Sequence, residues 1–177
     1  MTDTIANPLL DTWDAPFGLP PFDRIEDAHF ASALDAALAE GRAAVQAIAD
    51  NPAPADFANT IEALELADGL LDRVAGVFFN LAGSESTPAR QAIQRDYAPK
   101  FSAYASEITS NAKRFARIDS LWQARDTLDL TPEQARVLML THRSFQRAGA
   151  ALPENKKARL AEVKSRLSVL GTSFMQN

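Results

Sequence analysis

Phe30-Ala31-Ser32-Ala33-Leu34-Asp35-Ala36-Ala37-Leu38-Ala39-Glu40-Gly41-Arg42-Ala43-Ala44-Val45-Gln46-Ala47-Ile48 is the stretch on which the fold turns. Phe30, Leu34, Leu38, Gly41, Val45 and Ile48 recur every three or four residues, the spacing of one face of an α-helix. Alanine, the best helix former, fills much of the remainder. Asn51-Pro52-Ala53-Pro54 ends the helix, because proline lacks an amide donor and restricts the residue before it.

Downstream the same period repeats. Asp56 is placed to cap a second helix, with the stripe Phe57, Ile61, Leu64, Leu71, Val74, Phe78 and Leu81. Asp68-Gly69 is a hairpin signal between strands, but the helical period continues on both sides, so one helix is expected through it. Pro88 occupies a first helical position before the stripe Ile93, Tyr97, Phe101, Tyr104, Ile108, and Pro99 within it predicts a kink. Phe115, Ile118, Leu121 and Trp122 mark a short amphipathic helix. Thr131-Pro132-Glu133-Gln134 reads as a capping box opening a helix with Leu138, His142 and Phe145, which Gly149 stops. The last helix begins near Pro153-Glu154 and carries Leu160, Val163, Leu167, Leu170 and Phe174. Its basic residues, Lys156, Lys157, Arg159, Lys164 and Arg166, are expected on its wet face. No stop signal precedes Asn177, and the expectation is a helix cut short.

No segment alternates in the strand manner. The chain is therefore all-α, an antiparallel bundle of about six helices over residues 26–177. Residues 1–25 are read as an extended, proline-rich arm docked through Trp13, Phe17, Leu19 and Phe22.

The 177 residues suffice for one domain with a substantial core. A formal charge of −5 argues against nucleic acid and gives no reason to bind an anionic membrane. The absence of cysteine excludes disulfides, thiolate-ligated metals and redox thiols. Neither a secretory signal nor an apolar run long enough to span a bilayer is visible, and a cytoplasmic location is expected.

The residues for catalysis are sparse. The histidines are His29 and His142, followed by Phe30 and Arg143, so neither opens the His-Glu-x-x-His pattern of a zinc-peptidase helix. No serine stands in a nucleophile elbow, and no glycine-rich phosphate cradle occurs. Ser84, Ser86 and Thr87 suit turn and cap roles. Glu62 is read as solvated, and Glu65 as a structural acid pairing with a helix end, Arg73 or Arg143. Gly69, Gly76 and Gly83, seven apart, suggest close approach of a neighbouring helix; a flexible wall is the functional alternative. The expected catalytic, cofactor-binding and metal-binding residues are none.

Several ordered pieces resemble one family. They are Asn7-Pro8-Leu9-Leu10, Leu19 to Ile25, Phe57 to Glu65, Arg73 to Phe79, Phe115 to Ile118, and Arg143 to Leu152. Together they resemble the N-terminal region of thimet-oligopeptidase-like zinc metallopeptidases, specifically bacterial peptidyl-dipeptidases and the related oligopeptidase A. The Phe57–Glu65 and Arg143–Leu152 blocks are nearer the peptidyl-dipeptidases. The resemblance implies one half of a clam-like enzyme with a channel for short peptides. It implies a zinc motif in a missing C-terminal catalytic domain, and inactivity of this chain alone. The alternative is a complete, non-enzymatic helical interaction module.

Overall fold

A computed structural model describes residues 7–176. Six helices of 13 residues or more account for most of it, and no strand occurs among the described residues. The first, α1 (Asp27–Asp50), buries Phe30, Leu34, Leu38, Gly41, Val45 and Ile48, the face that the period marked out. Next comes a single wide turn, Phe57–Glu62, in which the Ala63 N–H reaches back to the Ala58 carbonyl. Such five-residue hydrogen bonds define a π-helical turn. Asp56 opens it as expected, accepting the Asn59 N–H at 2.6 Å.

The turn runs into the short α2 (Ala63–Leu66), and there the expectation of one helix to Leu81 fails. The chain turns at Ala67-Asp68 and starts again as α3 (Gly69–Ser84). The reason lies elsewhere in the molecule. Asp68 receives a hydrogen bond from the Tyr104 hydroxyl of α4 (Pro88–Ser110), so this carboxylate is held by a partner 36 residues away.

Thr87 caps α4, which continues through Pro99. Asn111 caps α5 (Ala112–Ala124), and the expected Thr131–Gln134 capping box opens α6 (Pro132–Ala148). Gly149 ends α6 at φ 97°, a left-handed conformation that glycine adopts at no steric cost. The last helix is α7 (Glu154–Met175).

Two cores result. One joins α1, α3 and α4 through residues such as Phe30, Leu34, Val74, Phe78, Tyr97 and Tyr104. The other joins the π turn, α5 and α6 through Ile61, Ile118, Leu121, Leu138 and Phe145. Arg114 bridges them. Its buried guanidinium donates to the Val45 carbonyl of α1 at 2.9 Å and to the Ile108 carbonyl at the end of α4 at 2.6 Å. Burial lowers its pKa.

The N-terminal segment departs from expectation. Residues 1–6 of the arm lie outside the described residues. Beyond them Leu9 is fully buried, and Trp13 packs on the first core with the Arg73 guanidinium 4.8 Å from its ring centroid. Phe17, Leu19 and Phe22, expected to dock, are exposed, and Phe17 sits at φ 63° with its ring wholly in solvent. Leu9 and Trp13 therefore carry the docking.

The glycine expectation also fails. A side chain at Gly69, Gly76 or Gly83 would meet nothing within 4 Å, so none of the three admits a neighbouring helix. The close approach is at Gly41, where a Cβ would collide with the Tyr104 hydroxyl and lie 2.9 Å from Asp68 Oδ1. Gly41→Ala is expected to destabilise by about 1–3 kcal/mol, the usual range for overpacking, read as a lower urea midpoint at unchanged slope.

The Tyr104 hydroxyl is raised above the ordinary tyrosine value of 10.0, first by burial and second by its bond to the Asp68 carboxylate. The folded state holds this proton more tightly, so the contribution is intact below pH 10 and disappears as pH rises through the folded value. Tyr97 is raised as well, also by burial first. Stability should therefore fall on the alkaline side of pH 10, and Tyr104→Phe should make that fall shallower in urea titrations from pH 8 to 11, with Tyr97 and the Asp35-bonded Lys100, also raised, contributing to the remainder.

Candidate functional site

The residues weighed for chemistry occupy structural positions. His29 Nδ1 accepts the Glu26 backbone N–H at 3.0 Å, so the Glu26-x-x-His29 spacing serves the start of α1. His142 is buried and stacks nearly parallel to the rings of both Phe115 and Trp122, with Nε2 2.9 Å from Asp119 Oδ1. Arg125 lies over the Trp122 ring, 4.4 Å from its centroid. Aromatic stacking of this kind adds to packing beyond the area it buries. Among the described residues no group of three or more histidines and acids could hold a metal ion. Glu62 is exposed as expected. Glu65 is exposed too and makes no side-chain hydrogen bond or ion pair among the described residues, which corrects its expected pairing with a helix end, Arg73 or Arg143; Arg73 donates instead to the Leu9 carbonyl. Ser84 bonds back to the Asn80 carbonyl, Ser86 accepts from Gln91, and Thr87 caps α4 while donating to Asp27.

The helix α7 borders a wide surface groove. This helix packs chiefly on α4, and the orientation is not the expected one. Lys157, read as part of a wet face, is 8% exposed, with Nζ donating to the Ser110 carbonyl at 3.0 Å and to Glu154. Lys164 is half-buried and donates to the Ala148 carbonyl at 3.0 Å. Each ammonium thus meets carbonyl oxygens where a helix ends, the end that carries partial negative charge. Lys156, Arg159 and Arg166 remain exposed.

Conversely, much of the apolar stripe faces solvent: Val163, Leu167, Leu170 at 56% exposure and Phe174 at 80%. Beside them, a groove of about 750 Å³ runs between α7, α4 and the end of α3. Phe79, Phe101, Leu167 and Met175 line it together with uncharged polar residues, and its lining contains no charged side chain. Gln176 closes one end, donating to the Gln91 carbonyl and to Gln94 while accepting from Arg95. Large exposed apolar patches are a mark of interaction surfaces in soluble proteins. Periodicity found the stripe, yet could not show which side of it α4 would take.

No helix among the described residues is long and apolar enough to cross a membrane. No family model matches the chain. Individual proteins do. Dipeptidyl carboxypeptidase of Salmonella typhimurium is 37% identical over 170 residues, covering 96% of this chain and 25% of that protein. Dipeptidyl carboxypeptidase of Escherichia coli is 35% identical over 173 residues, 98% of this chain and 25% of that protein. Oligopeptidase A of Salmonella typhimurium is 28% identical over 173 residues, with the same shares. The chain is thus an all-helical homologue of peptidases. Its homologues include dipeptidyl carboxypeptidase and oligopeptidase A, with higher identity to the first, and it spans about a quarter of the length of these relatives.

If the α7 face is an interaction surface and not part of this domain's own core, substitutions there must be inexpensive. Leu170→Ser should change unfolding free energy by less than about 0.5 kcal/mol, as for other exposed sites, whereas Leu138→Ala in the second core should cost about 2–5 kcal/mol. Urea unfolding of the two variants makes the comparison.

Proposed function

We propose that this chain is the N-terminal, channel-forming part of a zinc-dependent peptidase of the peptidyl-dipeptidase type, which cleaves short peptides in the cytoplasm. In this reading the helical domain spans residues 26–177 and the arm residues 1–25. None of these residues touches the reacting bond, holds zinc or binds another cofactor. In this reading zinc, and the glutamate that would activate water as a base, would be held by a C-terminal catalytic domain outside this sequence, and the chemistry zinc would supply there is a lowered pKa of bound water and a polarised scissile carbonyl. The helices here supply a wall that admits a short, extended peptide and keeps folded proteins out.

The observation that carries the reading is the unpartnered apolar face of α7, Val163 through Phe174, on a chain homologous to peptidases about four times its length. A catalytic domain packed there would bury that face. The lack of any three-residue acid and histidine group among the described residues is compatible with a metal site elsewhere.

The test is an activity assay on two proteins, this chain and the longer protein its gene encodes. With zinc supplied, this chain should leave a fluorogenic short peptide intact, whereas the longer protein should release dipeptides and lose that activity to a chelator. Zinc-dependent cleavage by this chain alone, or none by the longer protein, would overturn the proposal.

A further inference from the structure

The apolar stripe of α7 has a period of its own. Leu160, Val163, Leu167, Leu170 and Phe174 stand three and four residues apart in strict alternation, the spacing of a coiled-coil seam. The face that meets the rest of the domain is a different one: Lys157, Lys164 and Ser168 donate from it to the carbonyls of Ser110, Ala148 and Ala98. From Val163 to Phe174 the seam is exposed over three helical turns, about 16 Å. Such a seam fits a second helix laid nearly along it, whose side chains drop between its own. The adjoining groove, with Phe79, Phe101 and Met175 and no charged lining, widens the apolar floor beneath that helix.

Charge says what kind of helix it is. Residues 143–177 hold seven lysines and arginines against two acids, whereas the rest of the chain holds eleven against twenty-one. Arg159 and Arg166 immediately precede Leu160 and Leu167, the flanking positions through which one helix of a coiled coil meets the charges of the other. Lys156 stands one heptad before Val163, at the head of the seam. All three cations are exposed. Glu162 is the one acid beside them and pairs with Arg159 at 2.6 Å, while Arg166 and Lys156 have no side-chain partner among the described residues.

A second copy of α7 is a poor occupant. In an antiparallel pair Arg159 and Arg166 would lie against their own counterparts, and in a parallel pair Arg159 would face Lys164. Like charges so placed suppress the wrong partner, while opposite charges select the right one.

We propose that the outer face of α7 is the docking site for an amphipathic helix with an apolar 3-4 seam flanked by glutamate or aspartate. The helix is supplied by the remainder of the longer polypeptide, since the relatives are about four times the length of this chain. The source of the helix rests on the peptidase reading; the chemistry of the face does not. The seam provides the affinity, and Arg159, Arg166 and Lys156 fix the register and exclude a basic partner.

The first test titrates this chain into two labelled synthetic helices of about three heptads. Both carry leucine at the 3-4 positions; one has glutamate and the other lysine at every flanking position, so that neither pairs with itself. Fluorescence anisotropy at constant ionic strength should show saturable binding of the glutamate helix and binding about fivefold or more weaker for its lysine twin. Leu167→Ser should weaken the former about tenfold, and Arg166→Glu should narrow the gap between the two. No saturable binding of the glutamate helix, or equal binding of both, would overturn the proposal. Sedimentation of the chain as a dimer, or with phosphatidylserine vesicles, abolished by Leu170→Ser, would then identify a second copy or a membrane as the occupant.

The second test places a thiol on the seam of a chain that has no cysteine of its own. Leu170→Cys should react with a maleimide at once in this chain and be protected in the longer protein, read from the mass of the peptide that contains it. Equal reaction in both, in a longer protein that still cleaves peptides, would overturn the assigned source and leave the peptidase reading standing. Protection in a longer protein without peptidase activity would overturn that reading and leave the docking face standing.

Discussion

A hydroxyl and a carboxylate fill the space that a side chain at position 41 would need. The arrangement at Gly41 places α1 against α4 and the start of α3 at one point, with the Tyr104 hydroxyl bonded to Asp68 directly over the glycine. Much else follows from that contact. The helical path after Asp56 turns at Ala67-Asp68 because Asp68 has to meet Tyr104, and α3 leaves at the angle that lets Val74 and Phe78 reach Phe30 and Leu34. The polar pair is shielded by apolar neighbours, a setting that strengthens hydrogen bonds and penalises unpaired groups.

The two cores need a joint as well. Apolar contact alone would let one slide over the other, since dispersion has little directional preference. Arg114 supplies direction: its planar fork fixes the α4–α5 corner against the last turns of α1 through backbone carbonyls, without an acidic partner among the described residues. Arg117, one turn on, does the same for the loop ahead of the π turn, donating to the carbonyls of Asn51 and Ala53 and to Asn59 Oδ1. Two arginines three apart on one helix therefore hold the loop geometry between α1 and the second core.

On α7 the balance of forces differs from that in the other helices. Amphipathicity predicts that leucines turn inward and lysines outward, but the carbonyl ends of α4 and α6 offer a stronger local demand for cations. Lys157 and Lys164 answer it with ammonium groups at buried carbonyls, while their stems pack. Leu167 and Leu170 on the opposite side are exposed. The charge pattern of α7 thus records the carbonyl ends that it meets on one side and leaves an apolar face open on the other.

The sequence by itself determined what local physics controls. Period and alanine content specify helices, proline and glycine specify where they stop, and the caps at Asp56, Thr87 and Thr131 appear where their side chains can reach a backbone N–H within one turn. The residues resembling a peptidase family were likewise readable, because identity survives in the order of short blocks. What only the tertiary structure decided are relations between distant residues: Gly41 as the close approach in place of Gly69, Gly76 and Gly83; Leu9 as the anchor beside the expected Trp13, in place of Phe17, Leu19 and Phe22; and the inward lysines of α7. Each depends on which helix face meets which. A hydrophobic stripe says that a face will be covered, but the covering partner is chosen by shape and by unsatisfied polar groups many residues away.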